Sequence, residues 1–192
     1  MNARRSFVLV SIFLTALADD VSAQRGRRSV DVERPEPPAR FESEELGIAF
    51  DAPQGVRIYT PAAPGPYGSV LGEGRFVYLE SSGMRNASAV AKFFANATEA
   101  ELKSYKDILD ANPPQSKLEG FKKRSVRFVT IGEKADKQAL EFIYDTQSVR
   151  IRQIVFVHNG KGITFTCTSP QAQYGLAEAE MFKPIFSRLE FR

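Results

Sequence analysis

The sequence predicts an α+β domain built on an antiparallel β-sheet with helices flanking both faces. Residues 138–168 contain three β-rich runs separated by two short turns. When side chains are assigned by strand alternation, both faces of these runs are largely apolar, so we expect cover on both sides. Helical periodicity occurs before and after this stretch, around residues 90–109 and 182–189.

The N-terminal 40 residues indicate export. Residues 1–23 combine two arginines, an apolar run and a small-residue cleavage site ending at Ala23, which is typical of a secretory signal peptide. The apolar run is too short to span a bilayer, so we do not expect a transmembrane helix. A buried N-terminal helix is the alternative interpretation. Residues 24–40 are arginine- and proline-rich, so we expect a flexible tail. The mature protein is then periplasmic or extracellular without a stable membrane span, and residues 41–192 form a single globular domain.

Composition narrows the function classes. The formal charge is only +3, and five arginines of the tail carry much of it, so we expect no nucleic-acid partner. The chain has one cysteine, Cys167, which rules out an intrachain disulfide. Its alternation with Ile163 and Phe165 predicts a buried thiol. One histidine and no cysteine pair leave no familiar metal-ligand spacing, and we expect no metal, no cofactor and a monomer.

The elements before the sheet centre follow from local patterns. Residues 41–53 predict one or two short strands with Gly47 at the bend. Residues 55–69 are rich in proline and glycine and predict a loop, of the kind that often forms the rim of a site. Residues 75–80 alternate and predict a strand that joins the sheet.

Two helices are predicted after Asn86. Four apolar residues after Asn86 fall at i, i+3, i+4 and i+7 and predict a helix: Val90, Phe93, Phe94 and Ala97. Thr98 and Glu101 match a capping box that begins a second helix, which ends at Pro113. Asn86 and Asn96 match glycosylation acceptors, but helix-cap roles are sufficient to explain both.

Residues 125–131 predict a further strand, and residues after 169 predict a C-terminal helix. Ser169 is expected to cap this helix and Pro170 to occupy its first turn. Pro184 lies inside the apolar stripe of the same helix, so we expect a kink or break near Met181.

Turn chemistry predicts the register of the three central strands. Asn159-Gly160 suits a two-residue hairpin turn, which places His158 opposite Lys161 and Arg152 opposite Cys167. The upstream turn, residues 145–148, would place Tyr144 opposite Val149 and Glu141 opposite Arg152.

Three kinds of candidate site follow. Arg150, Arg152 and Glu141 share one face and could bind a small anion or a partner; the alternative is a structural cross-strand charge pair. His158 is the only histidine, so a small hydrolase would have to use it, although no nucleophile-elbow motif is present. A carrier of an apolar ligand would need a cavity lined by residues such as Phe142, Phe156 and Phe165.

Several strings also resemble a known family. LGIAFDAPQGV near the start, IRQIVFVHNGKGITFTCTSP in the closing strands and IFSRLEF at the end are similar to the PsbP-like and DcrB-like proteins. The resemblance implies an antiparallel sheet flanked by helices and an exported accessory or assembly factor, and it identifies no catalytic or binding residue. Val56 stands where the family usually has an aromatic residue. We therefore expect a non-enzymatic accessory or binding module that acts on a protein partner or small ligand.

Overall fold

The computed structural model describes residues 39–192, so the signal peptide and residues 24–38 of the tail lie outside the described residues. The tail boundary needs a small correction. Arg40, assigned to the tail from its sequence, opens the first strand. Its guanidinium donates to Asp51 over 2.8 Å and to Glu190 over 2.6 Å. These contacts tie the start of the domain to its C-terminal strand.

Strands dominate the described residues. They are β1 (Arg40–Ser43), β2 (Ile48–Asp51), β3 (Val56–Tyr59), β4 (Arg75–Ser81), β5 (Ser88–Phe94), β6 (Lys122–Ile131), β7 (Lys137–Asp145), β8 (Val149–His158), β9 (Lys161–Pro170) and β10 (Glu190–Phe191). The helices are α1 (Glu99–Ala111), α2 (Tyr174–Ala177) and α3 (Lys183–Ser187). Short 3₁₀ turns occur at Gly65–Tyr67, Pro114–Lys117 and Gln171–Gln173.

The strands form two antiparallel sheets. Seven strands lie in the order β3-β4-β5-β9-β8-β7-β6, and β1-β2-β10 form a small second sheet. The prediction of an α+β fold on an antiparallel sheet is confirmed. The meander of β7, β8 and β9 lies within the large sheet, as its apolar faces indicate.

The register of β8 and β9 is confirmed: His158 faces Lys161 and Arg152 faces Cys167. The predicted register of β7 and β8 is wrong by two residues, because Tyr144 faces Ile151. The turn contains two residues rather than four, since the Thr146 N–H donates to the Val149 carbonyl over 2.9 Å. A shift of two preserves strand parity, so every side chain remains on its assigned face.

Two apolar clusters lie on opposite faces of the large sheet. On the first face, Leu102, Tyr105 and Leu109 of α1 pack against a set of β7 and β8 residues that includes Leu140, Phe142, Tyr144 and Ile151. We call this the α1 face. On the other face, the C-terminal helical segment packs against a set that includes Ile154, Phe156, Phe165 and Cys167. We call this the C-terminal face.

The capping box at the start of α1 is confirmed. The Thr98 N–H donates to Glu101 Oε2 over 2.8 Å, and the Glu101 N–H donates to Thr98 Oγ1 over 3.3 Å. These reciprocal bonds satisfy two of the amides that a helix N-terminus leaves without partners. The helix extends to Ala111, and Pro113 follows shortly after it.

The helix predicted after Asn86 is wrong. Residues 88–94 form β5, which pairs with β4 on one side and β9 on the other. Ala89 and Ala91 are buried against the C-terminal face. Asn86 lies in the β4–β5 turn with φ of +63°, so it is not a helix cap. The predicted loop at 55–69 is also partly wrong, because β3 forms its first part and pairs with β4.

The break predicted near Met181 is confirmed. Glu178–Phe182 form a π-helical turn, and Pro184 lies in the first turn of α3 that follows. A proline in a helix interior lacks the N–H that the ladder needs, and a π-turn relieves that mismatch. The predicted cap at Ser169 is wrong, because Ser169 and Pro170 are the last two residues of β9.

Candidate functional site

A network of charged side chains lies on the C-terminal face, across β6, β7 and β8. At its centre the Glu141 side chain is 1% exposed and accepts hydrogen bonds from two arginines. The donors are Arg127 Nε at 2.6 Å and Arg152 Nε at 2.9 Å. Arg152 also donates to Glu178 over 2.7 Å. Buried charge is tolerated here because each carboxylate has an arginine partner.

Asp145 forms the second centre of the network. It is buried, and it accepts hydrogen bonds from Arg150 Nε at 2.6 Å and Arg124 Nε at 2.8 Å. The hydrogen bond from Arg150, together with that from Arg124, lowers the pKa of Asp145 below its usual range. The sequence groups Arg150 with Glu141, whereas the structure pairs Arg150 with Asp145. The predicted polar corner is therefore two adjacent carboxylate centres.

Aromatic rings connect these two centres with the C-terminal helical segment. The guanidinium carbon of Arg150 lies 5.1 Å from the Tyr174 ring centroid, and that of Arg152 lies 5.1 Å from the Phe186 centroid. The Tyr174 hydroxyl lies 3.2 Å from Glu178 Oε2 and donates to it. The guanidinium groups are thus held by cation–π contacts as well as by ion pairs.

Sequence reasoning missed four members of the network: Arg124, Arg127, Asp145 and Glu178. Strand alternation contained a signal for one of them, because Arg127 stands directly opposite Glu141 in the β6–β7 register. Arg124 lies at a register irregularity between Lys123 and Ser125, which alternation does not reveal. Glu178 comes from a π-helical turn of the distant C-terminal segment.

The outer side of this network is positively charged. The Arg127 side chain is 64% exposed and that of Arg124 is 39% exposed, although both are held by buried carboxylates. Lys122 and Lys123 precede them on the same strand and are exposed, and Lys123 lies on the α1 face, where its Nζ donates to the main-chain oxygen of Asp110. We call Lys122, Lys123, Arg124 and Arg127 the basic edge. Four cations lie along one strand that contains no acidic residue.

His158 is placed at the tip of the β8–β9 hairpin, as its sequence predicts. Its ring is half-buried, with Nε2 at 3.1 Å from the main-chain oxygen of Arg192 and the ring centroid at 5.1 Å from that of Phe191. Asn159 Nδ2 also donates to the Arg192 oxygen, over 3.4 Å. The imidazole therefore fixes the C-terminal residues against the hairpin.

The residues proposed for an apolar carrier site do not line one cavity. Phe142 packs on the α1 face, whereas Phe156 and Phe165 pack on the opposite face. The prediction that these three residues line one apolar cavity is wrong. A small apolar groove of about 30 Å³ does lie between α1 and β8, lined by residues such as Leu102, Tyr105, Val155 and Val157. Its volume is far below the 300–1,000 Å³ typical of small-molecule sites.

The loop that was predicted to form the rim of a site is anchored on the sheet. The rings of Tyr59, Tyr67 and Tyr78 are buried together, and the Tyr67 and Tyr78 centroids are 4.1 Å apart. Burial raises the pKa of Tyr67, and a hydrogen bond to Glu80 raises it further. These contacts hold the loop against the α1 face at the β3–β4 side of the sheet.

Within residues 39–192, no three histidine, cysteine, aspartate or glutamate side chains are grouped as metal ligands would be. The same residues contain no helix of the length and apolarity that crossing a bilayer requires.

The sheet order, the α1 cover and the C-terminal helical segment define a PsbP-like fold, so the family resemblance is confirmed at the level of fold. The chain is similar to the solution structure of cyanobacterial PsbP (CyanoP) from Synechocystis sp. PCC 6803, with a TM-score of 0.54 and 14% identity over 85% of this chain and 97% of that one. It is also similar to LpqN of Mycobacterium tuberculosis, with a TM-score of 0.51 and 12% identity over 74% of this chain and 81% of that one. No family model and no curated protein matches the sequence.

Proposed function

We propose that the protein is an exported, non-enzymatic binding module that recognises an acidic surface of a protein partner through the basic edge. The carrying observation is that Arg124 and Arg127 are exposed at their outer sides while Asp145 and Glu141 hold them from beneath. Arginines that are fixed before binding lose less conformational entropy when a partner arrives. Their planar groups also match carboxylates well.

Charge balance supports this role over a purely structural one. Glu141, Asp145 and Glu178 supply three negative charges, and Arg124, Arg127, Arg150 and Arg152 supply four positive charges. The network therefore has an excess of positive charge, and the exposed guanidinium groups of Arg127 and Arg124 present it at the surface. Lys122 continues the same positive strip without a carboxylate partner among the ion pairs of the described residues.

Export is proposed from the signal-peptide pattern of residues 1–23. The structural neighbour LpqN, which is involved in cell envelope biogenesis, is consistent with a role outside the cytoplasm. The non-enzymatic part of the proposal draws on His158, whose ring nitrogen is bonded to the main chain of Arg192. Replacing it, His158→Ala, should leave binding of the partner unchanged. Loss of a measured turnover in that variant would instead support a hydrolase.

The test is site-specific photo-crosslinking in the exported fraction, with the crosslinker at Thr130, an exposed position on β6. Wild type should yield a discrete acidic partner. The Lys122→Glu variant should reduce the yield about three- to tenfold, because a charge at the rim of an interface changes encounter and affinity. The matched control is Lys183→Glu, which makes the same charge change at an exposed position on α3.

Two outcomes would overturn the proposal. Equal yields from Lys122→Glu and Lys183→Glu would remove the basic edge as the recognition surface. A wild-type protein that crosslinks to no discrete partner would remove the binding-module function itself. Thermal unfolding of both variants verifies that neither change acts through stability.

A further inference from the structure

β6 is the long open edge of the large sheet. The sheet order ends at β6, a strand of ten residues, whereas the opposite edge strand, β3, has four. Within residues 39–192, β7 is the strand that pairs with the β6 backbone. Every second N–H and C=O of an edge strand points away from its neighbour and is free to bond another chain. Such an edge is the usual acceptor for an added strand.

The side chains of β6 specify what an added strand would need. On the C-terminal face, Arg127 is exposed and would lie beside the corresponding residue of the new strand. On the α1 face, Val126 and Phe128 are half-buried against the α1 cluster and would extend that cluster outward. A matching strand would place an acidic residue beside Arg127 on the first face, where Val129 also lies, and apolar residues beside Val126 and Phe128 on the second.

A second copy of this chain fits this edge poorly. The strand carries four basic residues and no acidic one, so each of two such edges would contribute a charge of +4 and the two would repel one another. Like charges that face each other across strands are destabilising. The charge pattern therefore favours a different, acidic chain.

We propose that β6 accepts an extended segment of a partner protein, with alternating acidic and apolar residues, as an eighth strand of the sheet. This rests on the proposed function and names the mode of binding. The register irregularity between Lys123 and Ser125 restricts the regular ladder to residues 125–131. The bound segment is thus about seven residues long, with Lys122 and Arg124 attracting charges just beyond its end.

Basic residues on an edge strand also protect sheets against edge-to-edge association. The two roles differ in their response to charge reversal. Lys122→Glu keeps the edge charged and so keeps that protection, but it weakens attraction for an acidic segment. A purely protective role therefore predicts a monomeric variant with unaltered peptide binding.

The experiment uses the mature protein, residues 24–192, labelled with ¹⁵N, and two blocked decapeptides as probes. One alternates glutamate with valine and the other alternates lysine with valine. We expect the glutamate peptide to slow hydrogen exchange by about tenfold or more at alternate amides within residues 125–131, and the lysine peptide to have no effect. Lys122→Glu should weaken glutamate-peptide binding several-fold, and Lys183→Glu should not.

Equal binding of both peptides, or protection located on another strand, would overturn strand addition. The result is separable from that of the proposed function. A wild-type protein that crosslinks to its partner while the glutamate peptide protects no amide of β6 would retain the function and lose this mode. Protection of β6 without any crosslinked partner would retain strand addition and remove the binding-module function.

Discussion

Glu141 Oε1 lies 2.9 Å from Arg152 Nε, although Ile143 and not Glu141 stands opposite Arg152 across β7 and β8. The contact is diagonal, and it forms because both side chains point to the C-terminal face. Arg152 reaches past its direct neighbour to a carboxylate that Arg127 holds from the other side. The pair anchors the sheet to the helical segment through Glu178.

Replacing Glu141 with glutamine should destabilise the fold by about 3 kcal/mol, because Arg152 would keep its buried position with only Glu178 to balance its charge. Unfolding in urea, followed by circular dichroism, measures the change. The control is Glu180→Gln at an exposed position of the same helical segment, where we expect a change within about 0.5 kcal/mol. A Glu141→Gln cost below about 1 kcal/mol would show that this pair contributes little.

Gly47 tests the contact between the β8–β9 hairpin and the chain terminus. Its φ is +65°, and a Cβ at this position would overlap Asn159 Nδ2 and lie 2.8 Å from the Arg192 oxygen and 2.9 Å from His158 Nε2. Gly47→Ala therefore combines an unfavourable backbone conformation with three steric overlaps. We expect a loss of about 2 kcal/mol or more in unfolding free energy, with increased exchange at the Arg192 amide.

Gly175 provides the matched comparison. It lies in α2, and a Cβ there would meet nothing within 4 Å. Gly175→Ala should raise stability by about 0.5–1 kcal/mol, since alanine favours the helix and restricts the unfolded chain. If both glycine variants changed stability alike, the tight junction at Gly47 would be refuted.

The central meander could be predicted from sequence because its determinants are local. Asn159-Gly160 specifies a two-residue turn, and the alternation of apolar residues then assigns each side chain to a face. Even the two-residue register error between β7 and β8 left those faces correct. The capping box at Thr98 is equally local, since donor and acceptor lie three residues apart.

Neither β5 nor the full charged network could be predicted from sequence, because both depend on contacts between distant segments. The seven residues of β5 are compatible with the helical or the strand period, and pairing with β9, 68 to 80 residues later in the chain, makes them a strand. The charged network has the same origin, since β6, β7, β8 and the C-terminal segment each supply part of it. Arg152 and its partner Glu141 could be named from sequence, whereas Asp145 as the partner of Arg150 and Glu178 as the second partner of Arg152 could not.

The lowered pKa of Asp145 predicts how stability depends on pH. A carboxyl whose pKa is lower in the folded state contributes stability above its unfolded pKa, about 4, and that contribution is lost as pH falls through the folded value. Asp145→Asn should cost about 2 kcal/mol at pH 7, because Arg150 and Arg124 lose their shared carboxylate. Below about pH 4 the wild type should lose this advantage and the two proteins should converge.

Urea unfolding at a series of pH values between 7 and 2 measures this convergence. The control is Asp136→Asn, an exposed site between β6 and β7, whose stability curve should run parallel to that of the wild type. A difference between wild type and Asp145→Asn that stayed constant down to pH 2 would mean that the ion pairs of Asp145 do not carry the effect.

The thiol of Cys167 should be unreactive in the native protein. Its side chain is fully buried on the C-terminal face, and burial raises the pKa of the thiol, so the reactive thiolate is scarce. A disulfide exchange reagent should therefore modify Cys167 only through unfolding, at a rate that rises with urea in step with the unfolding rate.

The comparison is a Cys167→Ala, Ser187→Cys double variant, whose thiol would lie at an exposed position of α3. That thiol should react fully without denaturant. Comparable rates for the two thiols in native buffer would place Cys167 at an accessible surface and contradict the β8–β9 register.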